Sequence, residues 1–451
     1  MARDSWYRLD NVGRFYSAQA GHTAQTVFRI AADMADEVDP DALQRALDQA
    51  LEVFPGFNVT LRAGFFWHYL QQAEGTPCVQ PEDLPPCSPM HADPRSVLIR
   101  VSYHAHRINV EVSHMVSDGR GTMELFKTLV GLYVRERYGA CVELAPYARE
   151  EAHKTEDSFS ENYERRASAS TPKPKAYRIR GWREKAAPEY MEVHLSSSAV
   201  YAAAKGMGVG VTALLIAAIM CAVRDGMPAR DRARGRAICV TVPVDLRRFF
   251  GSETLRNFFG LAYVSYAPGA CDEALAAVAT DVSRQLGAVT EPAALKKRMN
   301  RMVKLQRNAA LRVAPVFLKD AVLGLAAAIA EREVTTTASN LGRVEMPRGT
   351  EPFVRSVVVL TSTTGIDFVM STYGDDLSVG VSSVLVSNDI QRRFVRTFSA
   401  LGADVAIDVN RSGEEVDAAL RQEHMERVFL HHEDERGVGA GERFSSGGDA
   451  R

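Results

Sequence analysis

A polar interruption divides this chain of 451 residues into two parts, each with its own pattern of strands and helices. Residues 151–188 are rich in charge and carry a Thr-Pro-Lys-Pro-Lys run at 171–175, a composition typical of a linker or crossover. A single core rarely grows beyond about 250–300 residues, so two domains are expected. We predict an N-terminal domain at 1–165, a linker at 166–190, a C-terminal domain at 191–430, and a polar, Gly/Ser-rich, disordered tail at 431–451.

Hydrophobic periodicity predicts strands and helices in the first part of the chain. A helix is expected to begin at Asp39-Pro40-Asp41, because proline suits a first helical turn and carboxylates favour the positive end of the helix dipole. Pro55 ends its apolar pattern. The other predicted elements are strands at 27–30, 96–103 and 108–112, a hairpin of 58–62 with 65–70, a turn at 104–107 and a helix at 123–138.

The same kind of pattern returns after the polar interruption. Helices are predicted at 196–205, 211–224, 272–287, 293–311 and 313–330, with a last helix within 389–407. Strands are predicted at 237–243, 261–266, 335–341, 356–361, 367–373 and 377–383. Strands and helices interleave in both parts without a strict strand-helix-strand order, so the predicted fold class is α+β with two domains.

Composition excludes several classes of function. Basic and acidic residues number 54 and 56, a formal net charge of −2, whereas nucleic-acid binding needs a concentrated basic face. A short basic run at 230–236 is typical of a solvated loop. The six cysteines form no C-x-x-C pair, so reduced thiols are expected. The longest apolar run, 212–223, is about 12 residues and too short for a bilayer span, and no secretory signal is visible, so a cytoplasmic location is expected.

One histidine lies where catalysis is plausible. The strand at 108–112 runs into His114, Asp118 follows four residues later, and Gly119 and Gly121 come next. A turn there could present the imidazole and fold the carboxylate beneath it, with Gly119 in a conformation that costs other residues more. Histidine titrates near neutrality and can take a proton from an alcohol or amine and later return it. Taken alone, this spacing is common by chance, and a structural or surface role fits it as well.

The H-x-x-x-D-G motif at 114–119 resembles the signature of the chloramphenicol acetyltransferase-like superfamily, which includes condensation domains, plant acyltransferases and bacterial alcohol acetyltransferases. The condensation-domain form has a second histidine where this chain has Ser113, which favours the alcohol acetyltransferase side. The plant-type D-F-G-W-G motif is absent. Three more segments, at 6–11, 242–248 and 256–260, resemble the alcohol acetyltransferases, Ser339-Asn340-Leu341-Gly342 falls where the superfamily has a later strand motif, and the resemblance spans roughly 5–425.

The resemblance implies two α/β sandwich domains arranged in a V, with a tunnel between them and His114 midway along it. It implies acyl transfer without an enzyme-linked intermediate and without a bound cofactor. The donor would be acyl-CoA or a carrier-protein thioester, and the acceptor a small alcohol or amine. It also implies a structural Asp118 paired with Arg247, or failing that with Arg248. Ser339, Asn340 and the backbone N–H of Gly119 are candidates for binding the oxyanion or lining the tunnel.

Alternatives stay open at several positions. His104 and His106 share strand parity with His114, but no third ligand supports a metal, and a polar turn explains them better. Ser113 and Ser117 lack the G-x-S-x-G context of a serine nucleophile. The segment 257–260 is more typical of a strand entry than of a catalytic element. Trp67 and its aromatic neighbours are expected in the core. A binding protein that keeps the fold without turnover is the third possible function, after the two transferases.

Overall fold

A computed structural model describes residues 6–19, 26–90, 95–145, 154–164, 176–184, 188–269, 273–306, 314–411 and 415. The strands are β1 Trp6–Arg8, β2 Val27–Met34, β3 Val59–Ala63, β4 His68–Gln72, β5 Gln80–Pro81, β6 Ile99–His104, β7 Arg107–Ser113, β8 Glu189–Ser196, β9 Ile238–Asp245, β10 Phe259–Tyr266, β11 Thr336–Arg343, β12 Val354–Thr361, β13 Ile366–Tyr373, β14 Asp376–Ser383 and β15 Val405–Val409. The helices are α1 Asn11–Ser17, α2 Pro40–Val53, α3 Gly119–Tyr138, α4 Ser158–Glu161, α5 Ser197–Gly206, α6 Val211–Gly226, α7 Ala229–Ala233, α8 Arg247–Phe250, α9 Leu275–Val289, α10 Pro292–Gln306, α11 Val316–Glu331 and α12 Asp389–Ala400.

Three sheets organise these elements. A five-stranded sheet has the order β12-β2-β7-β6-β5, and a seven-stranded sheet has the order β10-β9-β11-β13-β14-β8-β15. A small sheet of β1-β4-β3 completes them. Strand β12 comes from the second part of the chain but pairs antiparallel with β2, with Val359 opposite Ile30. The two parts therefore share a strand, and the five-stranded sheet needs both.

Each large sheet has its own hydrophobic core. Helices α2 and α3 pack against each other beside the five-stranded sheet, and Leu43, Leu47, Phe126 and Tyr133 are fully buried there. Asp39 caps α2 by accepting from the backbone N–H groups of two residues of the first turn, as its sequence predicts. The long apolar run at 212–223 lies within α6, where residues 213–223 are buried.

The structure confirms most of the predicted elements and corrects several boundaries. Helix α3 begins at Gly119, four residues before its predicted start, because Asp118 caps it. Residues 189–196 form β8, although the prediction assigned 189–190 to the linker and 196 to a helix, and 405–409 form β15, although the last helix was expected within 389–407. The short helix α1 was not expected. The tail at 431–451 and much of the predicted linker lie outside the described residues, and the domain limits stay a prediction.

The prediction that Trp67 and its neighbours are core residues is wrong. Strand β4 begins only at His68, and the three aromatic residues before it form the tip of the β3–β4 hairpin. Phe65 is 72% exposed, Phe66 46% and Trp67 37%. Alternating apolar residues predict a strand, but they do not show whether another element covers it.

Within the described part of the chain, no single helix has the length and hydropathy needed to cross a membrane. Helices α5 and α6 meet that test only when taken together, and they are bent by 86° relative to each other.

Candidate active site

His114 lies between the end of β7 and the start of α3, with its backbone fixed on both sides. Its N–H donates to the carbonyl of Thr26 over 2.6 Å, and its carbonyl accepts from Nδ2 of Asn257 over 2.8 Å. Asn257 is in turn held by Asp10, which accepts from its backbone N–H and its amide group. Three distant segments therefore fix the position from which the imidazole projects.

Aromatic rings surround the imidazole. Tyr16 stacks on it with ring centroids 4.9 Å apart, and Phe28 and Phe259 lie at 4.5 and 6.3 Å. Burial lowers the pKa of His114 to about 4, although Asp118, Asn257 and the backbone of Ser117 favour the charged form. The ring is therefore neutral near pH 7, the state that a general base requires. Nδ1 of the ring is buried.

Asp118 does not lie beneath the imidazole as a hydrogen-bond partner in the described structure. Its carboxylate caps α3 by accepting from the N–H of Gly121 over 2.9 Å, and it also accepts from the N–H of Phe258 over 2.8 Å. Both terminal nitrogens of Arg247 donate to it at 3.0 Å. The predicted partner, Arg247, is thus in place, whereas the alternative Arg248 is exposed and lines the cavity described below.

The glycines of the motif serve close packing. Neither Gly119 nor Gly121 has a positive φ, so the expectation of an unusual backbone conformation at Gly119 is wrong. A Cβ on Gly121 would lie 2.1 Å from the carbonyl oxygen of Leu255, and one on Gly119 would lie 3.0 Å from the side chain of Leu341. The start of α3 therefore packs directly on two segments from the second part of the chain.

The imidazole lines a cavity of about 940 Å³. Its walls come from both parts of the chain: α1 and β2 on one side, β9, β10, β11 and α11 on the other, and the loop between β12 and β13. Of the two predicted lining residues, Asn340 donates to Oγ1 of Thr212 over 2.8 Å and accepts from the N–H of Gly342. Ser339 also lines the cavity, and its hydroxyl has no hydrogen-bond partner among the described residues. Ser339 is therefore the freer of the two to bind a ligand.

Few of the described residues are arranged as ligands for a metal ion. His104 ends β6 at an exposed hairpin, away from His114. The ligand atoms of Glu192, His194 and Asp408 lie within 4.8 Å of one another. However, Arg107 donates to both oxygens of Glu192, so a cation there would compete with a guanidinium.

Sequence reasoning missed Asp10, Tyr16 and the contact that Asn257 makes. Asp10 caps α1 and is buried, and burial raises its pKa to about 6 although Gly13 and Asn257 oppose the shift. Both Asp10 and Asn257 belong to segments whose resemblance to the alcohol acetyltransferases was visible in the sequence, at 6–11 and 256–260. The resemblance marked the segments, but only the fold shows that they meet at the backbone of His114.

Part of the chain is similar to a known protein family. Residues 189–382 match the family model described as the phthiocerol/phthiodiolone dimycocerosyl transferase C-terminus. No curated protein sequence matches the chain.

Three solved structures are similar in fold. Polyketide synthase associated protein 5 from Mycobacterium tuberculosis is 14% identical, with 89% of this chain and 99% of that one covered and a TM-score of 0.59. The first condensation domain of the calcium-dependent antibiotic synthetase, in complex with a substrate analogue, is 18% identical over 90% and 99% of the two chains, with a TM-score of 0.61. The F. graminearum protein TRI101, in complex with ethyl coenzyme A, is 12% identical over 89% and 100%, with a TM-score of 0.61.

These likenesses show the fold. The chain has the two-domain mixed α/β fold of condensation domains and acyltransferases, as the resemblance in its sequence implies. Within that fold, residues 189–382 are the part that is similar to the C-terminus of the phthiocerol/phthiodiolone dimycocerosyl transferases.

Proposed function

We propose that the protein is an acyltransferase that moves an acyl group from acyl-CoA to a small alcohol or amine, with His114 as general base. The observation that carries this proposal is a neutral imidazole on the wall of a cavity of about 940 Å³, large enough for two substrates. The family match to a transferase and the similarity to TRI101, whose structure contains ethyl coenzyme A, support the reaction and the donor.

The reaction proceeds in two steps, the formation of a tetrahedral intermediate and its collapse. Nε2 of His114 takes the proton of the acceptor as its oxygen or nitrogen attacks the thioester carbonyl, which gives a tetrahedral oxyanion and an imidazolium. The oxyanion then collapses, the carbon–sulfur bond breaks, and the imidazolium returns the proton to the leaving thiolate. The aromatic rings of Tyr16 and Phe28 keep the imidazole oriented during both steps. No covalent bond to the enzyme forms.

The negative charge of the intermediate needs hydrogen-bond donors. The hydroxyl of Ser339 is one candidate, because it faces the cavity without a partner among the described residues. The backbone N–H of Gly119 is another, since it lies in the first turn of α3, where the helix dipole favours an anion. Asn340 is a weaker candidate because its amide already bonds to Thr212.

A carrier-protein thioester is the second candidate donor. The similarity to a condensation domain and to a polyketide synthase associated protein favours it. The chemistry at His114 would be the same, and the product would be an ester or an amide. Asp118, Gly119 and Arg247 would have the same structural role with either donor, because they fix the loop that carries the imidazole.

Thiol release separates the candidate functions. The protein is incubated with acetyl-CoA and longer acyl-CoA donors and a panel of alcohols and amines. We expect acceptor-dependent release of CoA, which His114→Ala abolishes. Release only from an acylated carrier protein would favour the condensation-type enzyme. Failure with every donor, together with measurable ligand binding, would overturn the proposal in favour of a binding protein.

A further inference from the structure

Helix α11 carries its large apolar residues on the outside of the molecule. Leu318, Val322, Leu325 and Ile329 are 49%, 51%, 65% and 52% exposed. Their spacing of four, three and four residues places them on one stripe of the helix. The cavity side carries the small residues Ala327 and Ala330 instead. This is the reverse of the amphipathic pattern that covers a protein core.

The tip of the β3–β4 hairpin continues this apolar surface. The backbone N–H of Val316 donates to the carbonyl of Phe65 over 3.0 Å, and Nζ of Lys319 donates to the carbonyl of Phe66 over 2.8 Å. The same ammonium lies 3.3 Å from the ring centroid of Trp67. The exposed aromatic rings of the tip and the stripe of α11 therefore belong to one patch, which we call the α11 patch. A contiguous exposed apolar surface rimmed by polar residues is typical of an interaction site.

A basic helix is connected to the α11 patch through α1. Helix α10 has five basic residues and no acidic one, in a chain whose net charge is −2. Lys297, Arg301 and Lys304 are exposed at a spacing of four and three, which places them on one face. Helix α10 packs against α1, and Arg14 of α1 lies 5.2 Å from the ring centroid of Trp67. Helix α10 is thus linked to the patch through α1 and the hairpin.

We propose that the α11 patch docks on an anionic lipid bilayer, with the basic face of α10 against the headgroups. Exposed Leu, Ile, Val, Phe and Trp beside Lys and Arg is the composition of helices that lie in a membrane interface. A protein partner would need about one hydrogen bond per 100–200 Å² of interface, yet the outward stripe of α11 has no polar side chain between Leu318 and Ile329. The hydrocarbon of a bilayer forms no hydrogen bonds, so an apolar stripe can lie against it without polar side chains.

The position of α11 connects this surface to the cavity. Ala327, Ala330 and Glu331 of the same helix line the cavity that contains His114. A docked protein would hold this side of the cavity next to the bilayer, where substrates with long acyl chains partition. The inference goes beyond the proposed acyl transfer and does not depend on it, because docking is measured by binding alone.

Vesicle flotation with the full-length protein tests the proposal. Vesicles of phosphatidylcholine are compared with vesicles that contain about 30% phosphatidylglycerol, at low and high salt. Basic residues near an anionic surface are attracted to it and salt screens that attraction, so we expect binding to the anionic vesicles at least about tenfold stronger than to the neutral ones, and weaker at high salt.

Matched variants locate the surface. Leu318→Gln combined with Leu325→Gln and Ile329→Gln should reduce anionic vesicle binding at least tenfold, while thermal unfolding stays unchanged because the residues are exposed. The control is Ile407→Gln with Val409→Gln, which removes two other exposed apolar side chains from β15. Lys297→Glu with Lys304→Glu should remove the preference for anionic lipid, whereas Lys205→Glu with Arg392→Glu should not.

Three outcomes would overturn the proposal. The first is no binding to either kind of vesicle. The second is equal binding by the α11 variant and the β15 control. The third is a stable dimer in light scattering that the α11 variant converts to a monomer, since the patch would then join two copies of the chain.

Discussion

Arg247 and Asp118 form a bidentate ion pair, in which each terminal guanidinium nitrogen donates to a different carboxylate oxygen at 3.0 Å. The pair connects the cap of α3 with the segment after β9, from opposite parts of the chain. Arg247 also donates to the carbonyls of Thr254 and Arg256. Burial alone would lower the pKa of Arg247, but the neighbouring carboxylates of Asp118 and Asp245 outweigh this effect and raise the pKa above its usual value. Arg247 therefore remains positively charged.

Asp118→Asn is expected to lower stability and activity together. The amide would turn an N–H group toward Arg247 and leave the largely buried guanidinium with Asp245 as its remaining counter-charge, a change that costs roughly 3 kcal/mol. Chemical denaturation measures the free energy of unfolding, and Asp408→Asn, at a largely exposed carboxylate, serves as the control. A variant that is fully stable but inactive would contradict the structural role of Asp118.

His114→Ala is expected to reduce acyl transfer by about 10²–10⁴-fold, the usual contribution of a general base. The fold should persist, because the ring lines a cavity and the backbone bonds of residue 114 do not depend on the side chain. Initial rates and thermal unfolding measure the two effects. His104→Ala, at the exposed β6–β7 hairpin, should leave both unchanged. An equal loss of rate in His114→Ala and His104→Ala would show that His114 is not the general base.

The local part of the site was predictable from sequence, and the part made by distant contacts was not. His114, Asp118 and the strand before them follow from alternation, spacing and resemblance. Arg247 could be matched to Asp118 because a buried carboxylate needs a cation and the resemblance gave its position. The links from Asp10 through Asn257 to His114 join residues separated by more than 100 positions, so no local pattern encodes them.

The same reasoning explains the errors in the fold. Trp67 was expected in the core because aromatic residues bury large areas, yet at the hairpin tip more than a third of its side chain is exposed. The predicted helix at 313–330 exists as α11, but periodicity gives a stripe without saying which side faces the protein. The orientation of the helix is clear only from the structure, in which the side that carries Ala327 and Ala330 lines the cavity.

Asn257→Ala should slow catalysis more than it weakens substrate binding. Asn257 holds the carbonyl of His114 and touches Asp10, so its loss lets the imidazole move while the cavity walls remain. We expect kcat to fall at least tenfold with a smaller change in KM, because misplacement of a reacting group acts on the rate. Asn257→Asp tests the amide further, since a second carboxylate beside Asp10 should also destabilise the fold. Unchanged kcat in Asn257→Ala would show that residue 257 does not position the base.

Gly121→Ala should destabilise the protein by at least about 2 kcal/mol, as overpacking in a core does. The added Cβ would lie 2.1 Å from the carbonyl oxygen of Leu255. A backbone atom cannot move aside as easily as the end of a flexible side chain. Gly206→Ala is the matched control, because it lies at the end of α5 with no atom near its would-be Cβ. Gly119→Ala meets only the side chain of Leu341 and should fall between the two. Equal unfolding free energies for Gly121→Ala and Gly206→Ala would show that α3 does not pack closely here.

The lowered pKa of His114 should be visible in both activity and stability. The neutral ring is the active form, so log(kcat/KM) should stay level from pH 7 to about 5 and decline with a midpoint near 4, the pKa in the folded protein. An unfolded chain binds a proton at this histidine near pH 6.5, more readily than the folded protein does. The unfolding free energy should therefore decrease as pH falls from about 6.5 to 4, by roughly 2 kcal/mol between pH 7 and 5. His114→Gln lacks this titration and should lose correspondingly less stability over the same range, as measured by urea unfolding at both pH values. An acid limb with a midpoint near 6.5 would mean that the ring is solvated and outside the aromatic enclosure.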